Sequence, residues 1–253
     1  MKLFQLTLQT LIVRKSWIVA LIAVAVVPFL LPLLVPSEFA LNLIKPARAQ
    51  AAWVILWFVS MFWLFGQAAR QGDLHIHSGL GSYFRSMGVG SARQFIELSL
   101  AFAVFLAGLI FVTVLVCLFA ASPPGKFWDW FILNMQSAVL SLAVLMPLTM
   151  LALAVGSRFG SLVGFLVSLG LAIYGLYGVG YIEFATFEAK NILVRSLYAI
   201  SPQFHLGNLS EQIVFQMGSL KGSLFINILI YLLGVGFIVI SSSVFTYRAT
   251  AKS

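Results

Sequence analysis

Charged residues are scarce in this chain: Asp, Glu, Lys and Arg make up 9% of its 253 residues. Nearly all of them fall between six long stretches without any charge, which are Ser16–Ser37, Ala49–Ala69, Leu98–Gly125, Trp130–Ser157, Phe159–Ile182 and Gly222–Tyr247. Each stretch is at least as long as the roughly 20 apolar residues that a helix needs to cross a bilayer. Because lipid offers the backbone no hydrogen-bond partners, apolar runs of this length are expected to be helical. The sequence therefore predicts an all-α integral membrane protein.

Three further absences narrow the function. No Gly-x-x-x-x-Gly-Lys-Ser/Thr loop occurs, so the chain lacks that phosphate-binding cradle, and any ATP that drives it would be bound by another subunit. The single cysteine, Cys117, excludes an intramolecular disulfide. The charged or carbonyl rings of an ion-selective pore are not apparent in the apolar stretches. The hypothesis that follows is an apolar or amphipathic cargo.

Six membrane-spanning helices are predicted within a single domain, 1–253, because no polar interval is long enough for a sizeable soluble domain. The predicted spans are about 17–35, 51–68, 99–119, 131–154, 161–181 and 223–245. Before the first span, Phe4, Leu8, Leu11 and Ile12 share one helical face, which predicts a short interfacial helix. The alternative is a plain extension of the first span.

Gly160-x-x-x-Gly164 predicts a close helix contact.

Basic residues set the expected orientation. If the N-terminus is inside, the inner segments hold nine basic residues: Lys2, Arg14, Lys15, Arg70, Arg85, Arg93, Arg158, Arg248 and Lys252. The outer segments then hold six: Lys45, Arg48, Lys126, Lys190, Arg195 and Lys221. Because cytoplasmic loops are enriched in Lys and Arg, both termini are predicted to lie in the cytoplasm, with the chain in the inner membrane of a cell. The net charge of +8 is explained by this placement, so nucleic acid is not an expected partner.

The inner interval 70–97 is the most informative polar stretch. Glycines bound a short apolar and basic turn, Tyr83–Met87, that is expected to face the cytosol. Tyr83, Phe84 and Met87, flanked by Arg85, are suited to insertion into a pocket of a partner protein. The alternative is that these residues lie on the membrane surface. Ser91 is predicted to cap the helix that runs into the third span.

The outer interval 183–221 carries the second informative stretch. Leu193, Leu197 and Ile200 recur at helical spacing, and Pro202 ends that helix. Ser210 is predicted to cap a second short helix. Two short apolar helices beside a span indicate a re-entrant pair buried against protein. This pair is predicted to form the outer gate of a pathway, with Leu197, Ser201, Pro202 and His205 as its residues.

These features, in this order, resemble the ABC-2-type permeases, the membrane subunits of ATP-binding-cassette exporters. The loop from Gly81 to Arg93 is similar to the family pattern Gly … Leu-Arg-Ser-Leu-Gly-Val-Ser-Arg. It departs from that pattern at Ile96-Glu97, where Gly-Lys is common. The outer run Ser201-Pro202-Gln203-Phe204-His205 resembles the family's Ser-Pro-x-x-His-Phe, with Leu206 in place of the final Phe.

The resemblance implies a permease subunit without catalytic residues or a cofactor of its own. It also implies two kinds of partner, a second permease copy or paralogue and ABC ATPase subunits that hold ATP and Mg²⁺. The residues expected to couple to the ATPase are Tyr83, Phe84, Arg85 and Met87.

Two other classes remain open from the residues. One is a scaffold or assembly subunit that does not transport. The other is a membrane-embedded enzyme, which would need acids, His or Ser clustered at one membrane depth; Glu183, Glu188 and His205 form the comparable outer set. No metal site is predicted, because His75 and His77 lack a third ligand.

Overall fold

A computed structural model describes residues 2–34, 41–123, 127–188, 192–215 and 217–250. Within these ranges the regular elements are all helices and no strand occurs. The α-helices are α1 Lys2–Val13, α2 Ser16–Leu34, α3 Leu41–Val59, α4 Phe65–His77, α5 Leu80–Ser86, α6 Ser91–Leu115, α7 Phe127–Phe159, α8 Ser161–Ile173, α9 Val179–Glu188, α10 Ile192–Ile200, α11 Ser210–Val214 and α12 Gly222–Thr250. Single π-helical turns join α3 to α4, extend α6 and join α8 to α9; they are Ser60–Leu64, Val116–Ala120 and Tyr174–Gly178.

Five helices of the described chain are long and apolar enough to cross a membrane, namely Ile44–His77, Ser91–Ala120, Phe127–Phe159, Ser161–Thr186 and Gly222–Thr250. The first two helices meet the same test as a pair and bend by 69° at the break between them. Counted as one broken span, the pair brings the number to six. The chain is therefore an all-α, multi-pass membrane protein, as predicted. Residue 35 of the predicted first span, and Lys126, Lys190 and Lys252 of the charge pattern, lie outside the described residues.

The helix through the second predicted span is longer than the 51–68 expected. It begins at Leu41 and ends at His77, so it includes Arg48 at one end and Asp73 at the other. Charged residues mark where a helix leaves the hydrocarbon, but they do not end the helix itself. The predicted inner loop 70–97 is accordingly helical for most of its length.

Helix α1 packs against α6. Leu3, Thr7 and Leu11 are buried, whereas Ile12, which belongs to the predicted interfacial face, is exposed. The buried residues follow an i, i+4, i+8 spacing, which is one stripe of a helix. The hydroxyl of Thr7 donates to the carbonyl of Leu3 at 2.8 Å, so this polar side chain is hydrogen-bonded although it is buried.

A carboxylate fixes the start of α1. The backbone N–H groups of Leu3 and Phe4 donate to Glu97 Oε2 at 3.2 and 3.3 Å. Arg93 Nε lies 3.1 Å from Glu97 Oε1, an ion pair between residues four apart on one helix. The first N–H groups of a helix have no intrahelical acceptor and favour a negative charge. Glu97 therefore ties α1 to α6.

Helices α4, α7 and α8 meet through glycines. A Cβ atom at Gly156 would collide with the backbone of Ala69, and one at Gly72 would collide with the carbonyl of Leu153. A Cβ at Gly164 would lie 2.6 Å from the Cα of Gly156. In lipid the hydrophobic effect does not drive helices together, so close backbone packing is what stabilises their contact. The predicted role of Gly164 is confirmed, while Gly160 lies in the turn between α7 and α8 with φ of 90° and makes no such contact.

Neither predicted serine cap forms. Ser91 and Ser210 are the first residues of α6 and α11, and the residues before them, Gly90 and Leu209, make no side-chain cap bond. Gly90 takes the extended backbone conformation of the cap position, and its carbonyl accepts the first bond of α6 from Gln94 N at 3.0 Å.

The two short helices predicted for the interval 183–221 are present, but the predicted packing is wrong for the first of them. Helix α11 packs against α3 and buries Ile213 completely. None of the residues of α10, all of which the structure describes, is buried: Leu197 is 52% and Ile200 84% exposed. The apolar face of α10 therefore turns away from the rest of this chain. Residues 189–191 and 216 of the same interval lie outside the described residues.

Candidate functional site

Helix α5 joins the C-terminal end of α4 to the N-terminal end of α6 as a separate short element. Gly79 precedes it with φ of 75°, and Gly88 follows it with φ of 83°. Both values lie in the left-handed region that glycine adopts without steric cost. The two glycines therefore let the chain turn sharply into and out of a seven-residue helix.

The four residues predicted to couple to an ATPase do not share one face of α5. Tyr83 and Met87 are 55% and 59% exposed, and Arg85 is exposed as well. Phe84 instead points inward and stacks on His75, with ring centroids 6.4 Å apart. Residues four apart on a helix lie on one side, so Tyr83 and Met87 form the outward pair. The expectation that Phe84 is displayed for docking is corrected by this packing.

A buried histidine and glutamine hold α5 in place. His75 is completely buried, and its Nε2 lies 2.9 Å from Gln94 Oε1. The amide nitrogen of Gln94 donates to the carbonyls of Gly81 at 3.2 Å and Val89 at 2.8 Å. One side chain of α6 thus binds α4, α5 and the segment that follows α5. His77 points elsewhere, with its Nδ1 2.7 Å from Asp73 Oδ1, so the two histidines do not converge.

The last helix also reaches this anchor. Tyr247 of α12 is buried, and its ring centroid lies 6.4 Å from that of His75 and 5.2 Å from that of Phe95. The anchor therefore joins the ends of α4, α6 and α12 beneath α5. Sequence reasoning missed Gln94 and Tyr247 because they lie 19 and 172 residues from His75, the residue they both contact, and such separations give no local signal of contact.

The predicted outer-gate residues fall into a structured junction. Ser201 follows α10, and its Oγ lies 2.5 Å from the hydroxyl of Tyr174 and 2.7 Å from the carbonyl of Leu197. Tyr231 of α12 donates from its hydroxyl to the carbonyl of Ser201 at 3.3 Å and accepts from the backbone N–H of Gln203 at 3.1 Å. Ser201 thereby links the π-helical turn before α9 to the last helix.

Beside Ser201, the chain packs tightly against glycine. A Cβ atom at Gly175 would collide with the ring of Phe204 and lie 2.8 Å from the carbonyl of Pro202. His205 is part-exposed, and its Nε2 lies 3.8 Å from Glu183 Oε2. Ser201, Pro202 and His205 are thus brought together, while Leu197 lies on the exposed side of α10.

Glu183 also faces α10. Partial burial and the neighbouring carboxylate of Glu183 raise the pKa of Tyr198.

The side chain of Glu188, the third member of the set considered for an enzyme, lies outside the described residues. Among the residues that the structure describes, no group of three His, Cys, Asp or Glu is placed to hold a metal ion.

The chain is thus a multi-pass, all-α membrane protein. The short helix α5 with its His75–Gln94 anchor lies at one end of the helices, and the hydrogen-bonded junction around Ser201 lies at the other. No family model matches the chain, and neither a curated protein nor a solved structure matches it. A more particular assignment therefore rests on the residues themselves.

Proposed function

We propose that the chain is the permease subunit of an ABC-2-type exporter in an inner membrane, with both termini in the cytoplasm. It pairs with a second permease to enclose the export pathway, and separate cytoplasmic ATPase subunits bind ATP and Mg²⁺. The observation that carries this proposal is α5, which exposes the pair Tyr83 and Met87 and is anchored to the bundle through Gln94.

The anchoring supports a mechanical role for α5. A force on the exposed side of α5 passes through Gln94 to α4 and α6, and through His75 to Tyr247 at the end of α12. Packed interiors transmit displacement because they are dense and weakly compressible. Nucleotide-driven movement of an ATPase docked on α5 would therefore act on three helices together.

The last helix supports the second partner. In its most apolar window, 11% of the α12 segment is buried within this chain, against 67% for α7. Large side chains along it, such as Ile230, Leu233 and Phe237, are exposed. This face is free to meet lipid or a second permease. A scaffold that does not transport would not need a face that alternates between contact with lipid and contact with a second permease.

Co-purification tests the proposal. The proposal predicts an ABC ATPase gene beside the gene of this chain, and that ATPase should co-purify with the tagged chain from membranes. Tyr83→Asp combined with Met87→Asp should abolish that association, because a charge buried in an apolar pocket without a partner costs several kcal/mol. Met217→Asp is the matched control, since Met217 is also exposed but lies in the outer interval. Equal recovery of the ATPase with the unchanged chain, the Tyr83/Met87 double variant and the Met217 control would contradict the proposal.

A further inference from the structure

The bend between α1 and α2 directs an arginine towards the bundle. Lys15 stands at this bend with φ of 55°, and the indole N–H of Trp17 donates back to the carbonyl of Ile12 at 3.1 Å. Arg14 Nη1 donates to Gln67 Oε1 of α4 at 3.3 Å. The Arg14 side chain is therefore held against the protein rather than free in solution.

A second arginine lies beside the first. Arg70 is three residues beyond Gln67 on α4, and it is close enough for the two positive charges to repel each other. Partial burial and this neighbouring charge both lower the pKa of Arg14. Lys15 adds a third positive charge at the bend.

The nearby carboxylates are already engaged. Asp73 lies 2.7 Å from His77 Nδ1 and accepts from Ser161 N at 3.3 Å. Glu97 binds Arg93 and the first N–H groups of α1. Within the described ranges neither Arg14 nor Arg70 forms an ion pair. This end of the molecule is therefore complementary to an anion that the chain does not supply.

An apolar groove borders the helix that carries Gln67, beside Trp63. Trp63 lies one helical turn before Gln67, and its indole N–H donates to Ser16 Oγ at 3.2 Å. Trp63 is also part of the wall of the groove. The groove has a volume of about 170 Å³ and is lined by Trp17, Leu21, Trp63, Val104, Phe105, Gly108 and Leu109. Gln67 and Trp63 thus connect the basic cluster to the groove along one face of the same helix.

We infer that Arg14, Lys15 and Arg70 bind the phosphate of an anionic phospholipid of the inner leaflet, one acyl chain of which lies in this groove. Basic pockets between helices on the cytoplasmic side are suited to anionic head groups. The groove favours a lipid over a free phosphate ion, because a free ion would leave its apolar walls without an occupant. This site does not depend on the proposed permease function.

The wild-type chain provides the first test. We would purify it from bilayers containing equal amounts of phosphatidylglycerol and phosphatidylcholine, and measure the retained lipids by native mass spectrometry. Preferential retention of phosphatidylglycerol is expected, and it should persist when inorganic phosphate is added. Equal retention of the two lipids would overturn the inference, as would release of phosphatidylglycerol by inorganic phosphate.

Variants separate the head-group contacts from the groove. Each of Arg14→Gln and Arg70→Gln should lower the retention ratio of phosphatidylglycerol to phosphatidylcholine about fivefold, from the contribution of one basic residue near a charged membrane surface. Arg158→Gln is the control, because Arg158 is predicted to lie on the same side and sits over the ring of Phe159. An unchanged ratio in both glutamine variants would overturn the inference.

Gly108→Leu tests the acyl chain. Gly108 lines the groove, and a Cβ atom there meets no atom within 4 Å, so a leucine side chain at this position is expected to extend into the groove. Retention of both lipids should fall while the basic residues are untouched. Undiminished retention of phosphatidylglycerol in this variant would show that no chain occupies the groove and would overturn the inference.

Discussion

His75 and Gln94 are joined by a 2.9 Å hydrogen bond between two completely or almost completely buried side chains. Neither has access to solvent, so each depends on the other for this hydrogen bond. Because the amide nitrogen of Gln94 also donates to the carbonyls of Gly81 and Val89, the loss of this one side chain would remove three hydrogen bonds at once. The attachment of α5 is therefore more vulnerable at Gln94 than at any residue that α5 exposes.

Gln94→Leu is expected to loosen α5 without unfolding the bundle. Each buried polar group left unpaired costs about 1–3 kcal/mol. Amide hydrogen exchange across Leu80–Ser86 should accelerate, while exchange in α7 stays slow. Gln9→Leu is the matched control, because Gln9 is exposed on α1. Unchanged protection of α5 in the Gln94 variant would mean that Phe84 and the two flanking glycines hold it without the amide.

Glu97→Gln is expected to release α1 from α6. The variant keeps the size of the side chain but removes the charge that binds Arg93 and the first N–H groups of the helix. Hydrogen bonds to a charged acceptor are stronger than neutral ones, so a loss of about 1–2 kcal/mol is expected locally. Hydrogen exchange across α1 should rise in this variant and not in Glu211→Gln, whose carboxylate is exposed. Equal protection of α1 in both variants would contradict the tie.

Gly156→Ala should destabilise the whole helical bundle. The added methyl group collides with the backbone of Ala69, which cannot move aside as a flexible side chain could. Overpacking of this kind costs about 1–3 kcal/mol, which a thermal unfolding curve in detergent can resolve. Gly170→Ala is the control on α8, because a Cβ atom there meets no neighbour within 4 Å. Equal melting temperatures for the two variants would show that α4 and α7 can move apart enough to accept the methyl group at no cost in stability.

The sequence predicts the membrane helices well because one strong physical rule governs them. Apolar length and the absence of charge place a helix in lipid whatever its neighbours are. Gly164 could be assigned to a helix contact for a similar reason. Helices in a membrane associate mainly through close packing, and small residues allow their backbones to approach each other. Gly160 carried the same pattern and failed, because a turn between two spans also selects glycine and spacing alone does not separate the two uses.

The two candidate sites were predicted less well, since both depend on which way a side chain faces. Phe84 was assigned to the exposed surface because it lies in a polar interval, yet it packs on His75. The apolar spacing of Leu197 and Ile200 was taken to mean burial against protein, yet both are exposed in this chain. In a membrane protein an apolar helix face can meet lipid, a partner or its own core, and hydrophobicity is the same in all three cases.

Cysteine labelling should place the two candidate sites on opposite sides of the membrane. Ser78→Cys and Met217→Cys put a thiol at exposed positions in the inner and outer intervals. The native Cys117 is buried and should not react. With intact cells, a membrane-impermeant reagent should label position 217 and spare position 78. Labelling of both positions from outside would refute the proposed orientation.

Ser201→Ala should loosen the outer junction, whereas Leu197→Asp should leave it intact. Ser201 Oγ bonds to Tyr174 and to the carbonyl of Leu197, so its loss removes contacts on both sides of the junction at about 1–2 kcal/mol in total. Hydrogen exchange at Phe204–Gly207 should therefore rise in the serine variant. Leu197 faces away from the chain, and an exposed substitution of this kind changes the free energy of unfolding by no more than about 0.5 kcal/mol. If α10 closes an outer gate against a second permease, export should fall in both variants although only one of them loosens the fold. Full export by Leu197→Asp would remove that residue from the gate, because a charge on a closing apolar face could not be accommodated without loss.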